Sequence, residues 1–175
     1  RVEQTAAVRV EAHRTLLLGR GGDAPVSSGA LSVQLSYRDP FGWRELLNFF
    51  AGRATPGVER VTSGRYLRTV RTGSGHGIID VQDVGGALSL TVHGIGTENL
   101  FAAVQRTRAL FDLDAPIDDI TSVLDRDRVL HAWLNKNPGI RVPGAWDGFE
   151  LTVRAILGQQ VSVKAATTFA GRIAA

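Results

Sequence analysis

The hydrophobic residues of this chain change their spacing once, near Thr97, and this change limits the folds that the chain can adopt. Before Thr97, segments such as 30–37 (ALSVQLSY) alternate apolar and polar residues, a pattern typical of strands with one buried face. After it, apolar residues recur every three or four positions, as they do along one side of a helix. The sequence therefore predicts an α+β fold in which an antiparallel sheet with two helices precedes an all-α part.

The first part of the chain has the predicted element order β-α-β-β-β-β-α. The strand over 30–37 is followed, after Asp39-Pro40, by a helix whose apolar residues share one face. These residues are Trp43, Leu46, Leu47 and Phe50. The next four strands are predicted at 58–61, 65–72, 77–84 and 87–93, with Gly85-Gly86 as a tight turn between the last two.

A second helix is predicted to begin at Thr97, which can cap it, and to carry Leu100, Val104 and Phe111 on its inner face. Beyond Pro116 the pattern predicts helices only, at 117–124, 126–135, 146–157 and 162–175, the third carrying Phe149, Val153, Ile156 and Leu157. We therefore expect a Gly-rich tail and linker over 1–29, an α+β domain over 30–114 and the start of a helical domain over 115–175. Because the chain has no methionine and starts at Arg1, and because its last predicted helix runs to the final residue, we expect it to be truncated at both ends.

Composition excludes several classes of protein. There is no cysteine and there are four scattered histidines, so we expect neither a disulfide nor a metal site, and no cofactor motif is present. No apolar run approaches the roughly 20 residues that a membrane span needs, which predicts a cytoplasmic protein without membrane contact. The net charge of +3 includes four arginines without an intervening acid, which face either phosphates or solvent. They are Arg60, Arg65, Arg68 and Arg71.

Two local features depart from the expected patterns. On the helix after Pro40, Phe49 lies roughly 120° from the apolar face, and Arg53 follows one turn later on the same side. This pair either packs on the next domain or forms one wall of a cleft between the domains.

The second feature is the segment 156–166 (ILGQQVSVKAA), where a helix ends at Gly158 and two glutamines occupy the turn. Ser162 can cap the next helix. The segment is either a plain turn between helices or a polar corner that contacts a ligand.

Three segments of the chain resemble one known family. Residues 141–175 (RVPGAWDGFELTVRAILGQQVSVKAATTFAGRIAA) are similar to the start of the helix-hairpin-helix domain of bacterial 3-methyladenine DNA glycosylase II, the AlkA type. Residues 37–61 (YRDPFGWRELLNFFAGRATPGVERV) resemble its N-terminal domain, which is related to half of the TATA-box-binding protein. Residues 109–120 (ALFDLDAPIDDI) resemble its domain junction. The resemblance covers about residues 30–175 in the family's order.

The resemblance implies base-excision repair, in which alkylated bases such as 3-methyladenine are flipped out of double-stranded DNA and their N-glycosidic bond is hydrolysed. It implies an intercalating, DNA-binding turn at Gln159, Gln160 and Ser162, and a base-pocket edge at Phe49 and Arg53. Where the family's pattern has an apolar wedge, Gln160 is polar. The family's LPGxG hairpin motif and catalytic aspartate do not occur in these 175 residues, so we expect no catalytic residue and no activity in this piece.

The resemblance leaves two functions open. In some bacteria such a glycosylase follows an Ada-type alkyl-transfer and regulator module, and residues 1–22 would then be the end of that module. The parent protein would be a monomeric, cofactor-free glycosylase. The alternative is a non-catalytic DNA-binding or regulatory module of an Ada-type adaptive-response protein. The presence or absence of a downstream LPGxG motif followed by Asp separates the two.

Overall fold

The computed structural model describes residues 30–72 and 75–175, and within them a single antiparallel sheet of five strands with the order β1-β5-β4-β3-β2. The predictions made for residues 1–29 lie outside the described residues. The strands are β1 Leu31–Ser36, β2 Glu59–Thr62, β3 Arg65–Thr72, β4 Gly75–Asp83 and β5 Ala87–His93. The predicted α+β class and the order of the elements are therefore confirmed, with strand ends shifted by one or two residues.

The alternating sequence of β1 and β5 places one face of each strand in the core. The two strands pair in register from Leu31 opposite Val92 to Ser36 opposite Ala87. Gly85 and Gly86 both have φ of +79°, a left-handed conformation that a two-residue hairpin turn requires and that glycine adopts without steric cost. The predicted turn between β4 and β5 is thus confirmed.

Two helices cover one face of the sheet. Helix α1, Trp43–Ala51, buries all four residues predicted for its inner face, and helix α2, Leu100–Leu110, packs beside it. Phe111, fully buried directly after α2, contacts the rings of Trp43, Phe50 and Tyr66 at centroid distances of 5.1, 5.5 and 5.4 Å. This aromatic cluster joins both helices to the sheet.

The prediction that Thr97 caps the second helix is wrong. Thr97 opens a single 3-10 turn, Thr97–Asn99, and no side chain caps either this turn or α2. The backbone N–H of Asn99 instead donates to the carbonyl of Gly96 at 3.0 Å. Such a tight first turn pairs a backbone group that a side-chain cap would otherwise satisfy.

The remaining described chain is helical, as predicted, with α3 Ile117–Leu124, α4 Arg128–Leu134, α5 Gly148–Leu157 and α6 Val163–Ala174. The side chains of Asp127, Asp147 and Ser162 cap α4, α5 and α6. No residue of α5 is fully buried, and Phe149 and Ile156 on its apolar side are 80% and 66% exposed. Across residues 30–72 and 75–175, no helix has the length and apolar character needed to cross a membrane.

Candidate nucleic-acid interface

A sharp exposed corner joins α5 to α6. Helix α5 ends at Leu157, and Gly158, Gln159 and Gln160 turn the chain before Ser162 caps α6 by accepting a hydrogen bond from the Ala165 N–H at 3.2 Å. Each residue from Gly158 to Ser162 is exposed. The predicted helix end and the predicted Ser162 cap are both present.

The two glutamines of the corner differ in their surroundings. Gln159 folds back on α5, its Nε2 donating to the carbonyl of Ala155 at 3.0 Å. Gln160 has φ of +57°, a left-handed backbone that costs a residue with a side chain roughly 1 kcal/mol or more. Gln159 is thus tied to its own helix, and Gln160 follows it with a left-handed backbone.

Phe49 and Arg53 form a stacked pair at the end of α1. The Arg53 guanidinium carbon lies 3.9 Å from the centre of the Phe49 ring, and Nη1 donates to the Phe49 carbonyl at 3.3 Å. The pair lines a cavity of about 300 Å³ between α1 and α5. Leu151 and Arg154 of α5 line the same cavity. Phe49 therefore faces both the helical part of the chain and a cleft, and both interpretations of the pair stay open.

The structure does not place the two sets of predicted site residues against each other. Phe49 and Arg53 line the cavity, whereas Gln159 and Gln160 do not. The connection between them is α5, which contributes Arg154 to the cavity wall and ends one turn later at the corner. Arg154 Nη2 donates to the carbonyl of Arg53 at 2.7 Å.

Arg68 on β3 is the most buried polar side chain near the cavity, and its burial was not predicted from the sequence. Its side chain is 3% exposed. Nη1 donates to Glu59 Oε1 at 3.2 Å, and Nη2 donates to both carboxylate oxygens of Glu150 on α5. Because a neighbouring acid on β2 and a distant one on α5 hold it, Arg68 is neither a phosphate-facing nor a solvated arginine. The two environments proposed for the arginine run are wrong at this position.

Glu59 extends the network to three further groups. It accepts hydrogen bonds from Tyr66 Oη at 2.6 Å and from the Thr55 N–H at 3.1 Å, and it lies 3.7 Å from Arg154 Nη1. Burial raises the pKa of the Tyr66 hydroxyl well above its ordinary value, and the Glu59 carboxylate raises it further. Burial lowers the pKa of Arg68, but Tyr66, Glu59 and Glu150 together raise it by more, so the net pKa is above the ordinary value. Arg68 is thus a permanent cation here.

A second ion pair lies on the opposite face of the same sheet. Arg65 Nε donates to Asp80 Oδ1 at 3.0 Å, and Nη2 donates to Oδ2. The hydrogen bond to Asp80 raises the pKa of Arg65. Nearby, burial lowers the pKa of His93, Arg65 lowers it further, and Asp80 opposes the shift. Arg65 is thus another member of the arginine run that is paired within the protein.

A larger cavity, of about 540 Å³, opens beside the network. Its lining includes Arg71, His76, Arg106 and Trp146. The guanidinium carbons of Arg68 and Arg106 lie 5.4 and 5.6 Å from the centre of the Trp146 ring. Within the part of the chain that the structure describes, no cluster of three or more acidic or histidine side chains is placed to hold a metal ion.

The fold matches a solved structure, and the sequence matches a family model. The 3-methyladenine DNA-glycosylase of Archaeoglobus fulgidus has the same fold, with a TM-score of 0.70 and 19% identity over 82% of this chain and 49% of that one. The AlkA N-terminal domain family matches residues 32–147. The chain belongs to this family.

Two relatives extend the match at the level of sequence. The chain is 38% identical over 162 residues to the probable bifunctional transcriptional activator/DNA repair enzyme AlkA of Mycobacterium tuberculosis, strain CDC 1551 / Oshkosh, which covers 93% of this chain and 33% of that protein. It is 34% identical over 145 residues to DNA-3-methyladenine glycosylase 2 of Escherichia coli K12, which covers 80% of this chain and 48% of that protein. The chain therefore spans between a third and a half of the length of these relatives.

Proposed function

We propose that this chain forms the N-terminal, DNA-contacting part of a base-excision repair glycosylase that hydrolyses the N-glycosidic bond of alkylated bases such as 3-methyladenine. The observation that carries the proposal is the 34% identity to a DNA-3-methyladenine glycosylase over 80% of this chain. The exposed corner and the cleft supply surfaces suited to that activity. We predict a cytoplasmic monomer that acts on double-stranded DNA.

The corner at Gln159 and Gln160 is suited to entering DNA where a nucleotide has been flipped out. A damaged base must leave the stack before its glycosidic carbon can be reached, and a side chain that fills the gap holds the open state. Gln160 has a left-handed backbone at the tip of the turn and, unlike a glycine there, carries a side chain. Ser162, by capping α6, fixes the path of the chain directly after the tip.

Phe49 and Arg53 are suited to the edge of the base pocket. An alkylated purine carries positive charge and is attracted to the face of an aromatic ring. The guanidinium of Arg53 already covers one face of Phe49, so a cationic base gains little from that face. We therefore assign the pair to the rim of the pocket and expect the surface that holds the base to come from other residues.

Base release tests the proposed activity. The 175-residue chain contains no LPGxG motif with a following aspartate, and hydrolysis needs a group that stabilises the developing charge on the sugar. We expect no release of 3-methyladenine from methylated duplex DNA by this chain, and release by a longer product of the same gene that carries the motif. Release by the chain alone would contradict the assignment of catalysis to residues outside it.

DNA binding tests the corner directly. We expect Gln160→Ala to weaken binding to a duplex with an abasic-site analogue more than binding to an undamaged duplex, because it removes the filler of the gap. The dependence of log K on log salt concentration should not change, since Gln160 neutralises no phosphate. The matched control is Gln105→Ala, which truncates an exposed glutamine on α2. Equal weakening on both duplexes, or none, would identify the corner as an ordinary turn.

The alternative function is a non-catalytic module of an Ada-type regulator. The Mycobacterium tuberculosis relative is named as both a transcriptional activator and a repair enzyme. Its match covers 162 residues of this chain, so fewer residues are left uncovered than residues 1–29 contain. The match therefore extends into residues 1–29, which is why the regulatory alternative is kept. Binding to a promoter sequence without base release by the longer gene product would support this alternative.

A further inference from the structure

Two charged side chains of helix α5 make polar contacts with the α+β part. None of its residues is fully buried, and three of its larger apolar side chains, Phe149, Leu151 and Ile156, are between 56% and 80% exposed. Its two charged residues, Glu150 and Arg154, both make hydrogen bonds to the α+β part. These two side chains therefore tie α5 to the α+β part.

Arg68 is the centre of this attachment. One terminal guanidinium nitrogen, Nη1, donates to Glu59 at the edge of the sheet, and the other, Nη2, donates to Glu150 on α5. Because the guanidinium is planar and its donors are fixed in a fork, it relates the directions of the two carboxylates as well as their distance. A lysine at this position has one ammonium group and cannot impose the same geometry.

The energetics of buried ion pairs favour a geometric role over a stabilising one. Arg68 is 3% exposed and Glu59 is 11% exposed, so both lose most of their hydration. The attraction between such groups is largely offset by this loss, whereas a well-packed apolar pair would avoid it. What the network supplies is one defined position for α5, and the Gln159-Gln160 corner follows directly from the end of that helix.

We propose that Arg68, by bridging Glu59 and Glu150, is a positioning residue that sets the direction in which α5 presents the Gln159-Gln160 corner. The inference rests on the proposed function, because the corner matters only if it contacts DNA. Arg68 itself contacts no DNA in this scheme and acts through α5.

The variants remove the bridge without leaving a large buried charge unpaired. Glu150→Gln removes the charge on α5, where the side chain is 37% exposed, and keeps the bond between Arg68 and Glu59. Arg68→Lys keeps the buried positive charge but loses the fork. The matched control is Arg65→Lys, which weakens an ion pair of the same kind with Asp80 on the opposite face of the sheet.

Distance measurements and DNA binding together separate the inference from the proposed function. The chain has no cysteine, so nitroxide labels can be attached at cysteines that replace Arg44 on α1 and Lys164 on α6, both exposed. Pulsed electron resonance then gives the distribution of distances between the two parts without DNA. Binding to an abasic-analogue duplex and to an undamaged duplex gives the preference for the gap, and urea unfolding gives the stability of each variant.

We expect Glu150→Gln and Arg68→Lys to widen the distance distribution and to lower the preference for the abasic duplex by about fivefold or more, with no change in salt dependence. Arg65→Lys should leave both unchanged. Unchanged distances in both variants, or an equal loss of preference in Arg65→Lys, would overturn the inference. If the unmodified chain shows no preference for the abasic duplex, the proposed function fails, while widened distances still support Arg68 as the residue that positions α5.

Discussion

Replacing Gln160 by glycine should weaken DNA binding without lowering stability. The φ of +57° at Gln160 costs a residue with a side chain roughly 1 to 2 kcal/mol, and glycine removes that cost. Glycine also adds freedom to the unfolded chain, which costs roughly 0.5 to 1 kcal/mol. We therefore expect the free energy of unfolding of Gln160→Gly to stay unchanged or to rise by about 1 kcal/mol.

Binding to the abasic-analogue duplex should weaken, because Gln160→Gly removes the whole side chain that we propose fills the gap. We expect the preference for an abasic-analogue duplex over an undamaged one to fall about tenfold, which corresponds to about 1.4 kcal/mol. A gain in stability together with a loss of function would indicate that the left-handed conformation is kept for its side chain.

The measurements are urea unfolding and equilibrium binding to the two duplexes, with Ser63→Gly as the matched control. Ser63 also has a left-handed backbone, with φ of +47°, in the turn between β2 and β3. Ser63→Gly should show a similar change in stability with no change in binding. A loss of more than about 1 kcal/mol in Gln160→Gly, or binding equal to that of the unmodified chain, would refute the reasoning.

Three further predictions concern stability. Phe111→Ala should lower the free energy of urea unfolding by about 3 to 5 kcal/mol. Phe101→Ala, at a residue on α2 that is 73% exposed, should change it by less than about 0.5 kcal/mol. Similar losses in the two variants would argue against the aromatic cluster. Gly139→Ala should lower the midpoint of thermal unfolding much more than Gly57→Ala. Both glycines have a positive φ, but only a Cβ at Gly139 would lie 2.5 Å from the backbone that precedes α1. Equal shifts in the two variants would contradict the close packing at Gly139. The lowered pKa of His93 in the folded chain means that, as the pH falls, the unfolded chain takes up a proton on this histidine at a higher pH than the folded chain does. The free energy of unfolding should therefore fall as the pH drops below roughly 6.5. His93→Gln should reduce the slope of the free energy of unfolding against pH in urea titrations between about pH 7.5 and 5.5, and an unaltered slope would contradict this prediction.

The order of the elements was predictable because it depends on contacts between neighbouring residues. Alternation along 30–37 and three-to-four spacing along α1 each place apolar side chains on one face, whatever the rest of the chain does. The Gly85-Gly86 turn is equally local, since the left-handed backbone of a two-residue turn selects glycine. The start of α2 was not predicted, because a capping side chain and a 3-10 turn satisfy the same backbone groups and Thr97 is compatible with both.

By itself, the sequence determined the α+β class, the buried face of α1 and the residues of the corner between α5 and α6, and the roles proposed for Gln159, Gln160, Ser162, Phe49 and Arg53 stay predictions. Only the tertiary structure decided which arginines are paired. Arg68 lies 9 residues from Glu59 and 82 residues from Glu150, so no spacing in the sequence indicates that one guanidinium joins them. Periodicity reports which side of an element is buried, but the partner of a buried charge is fixed by how distant elements meet, and that geometry exists only in the folded chain.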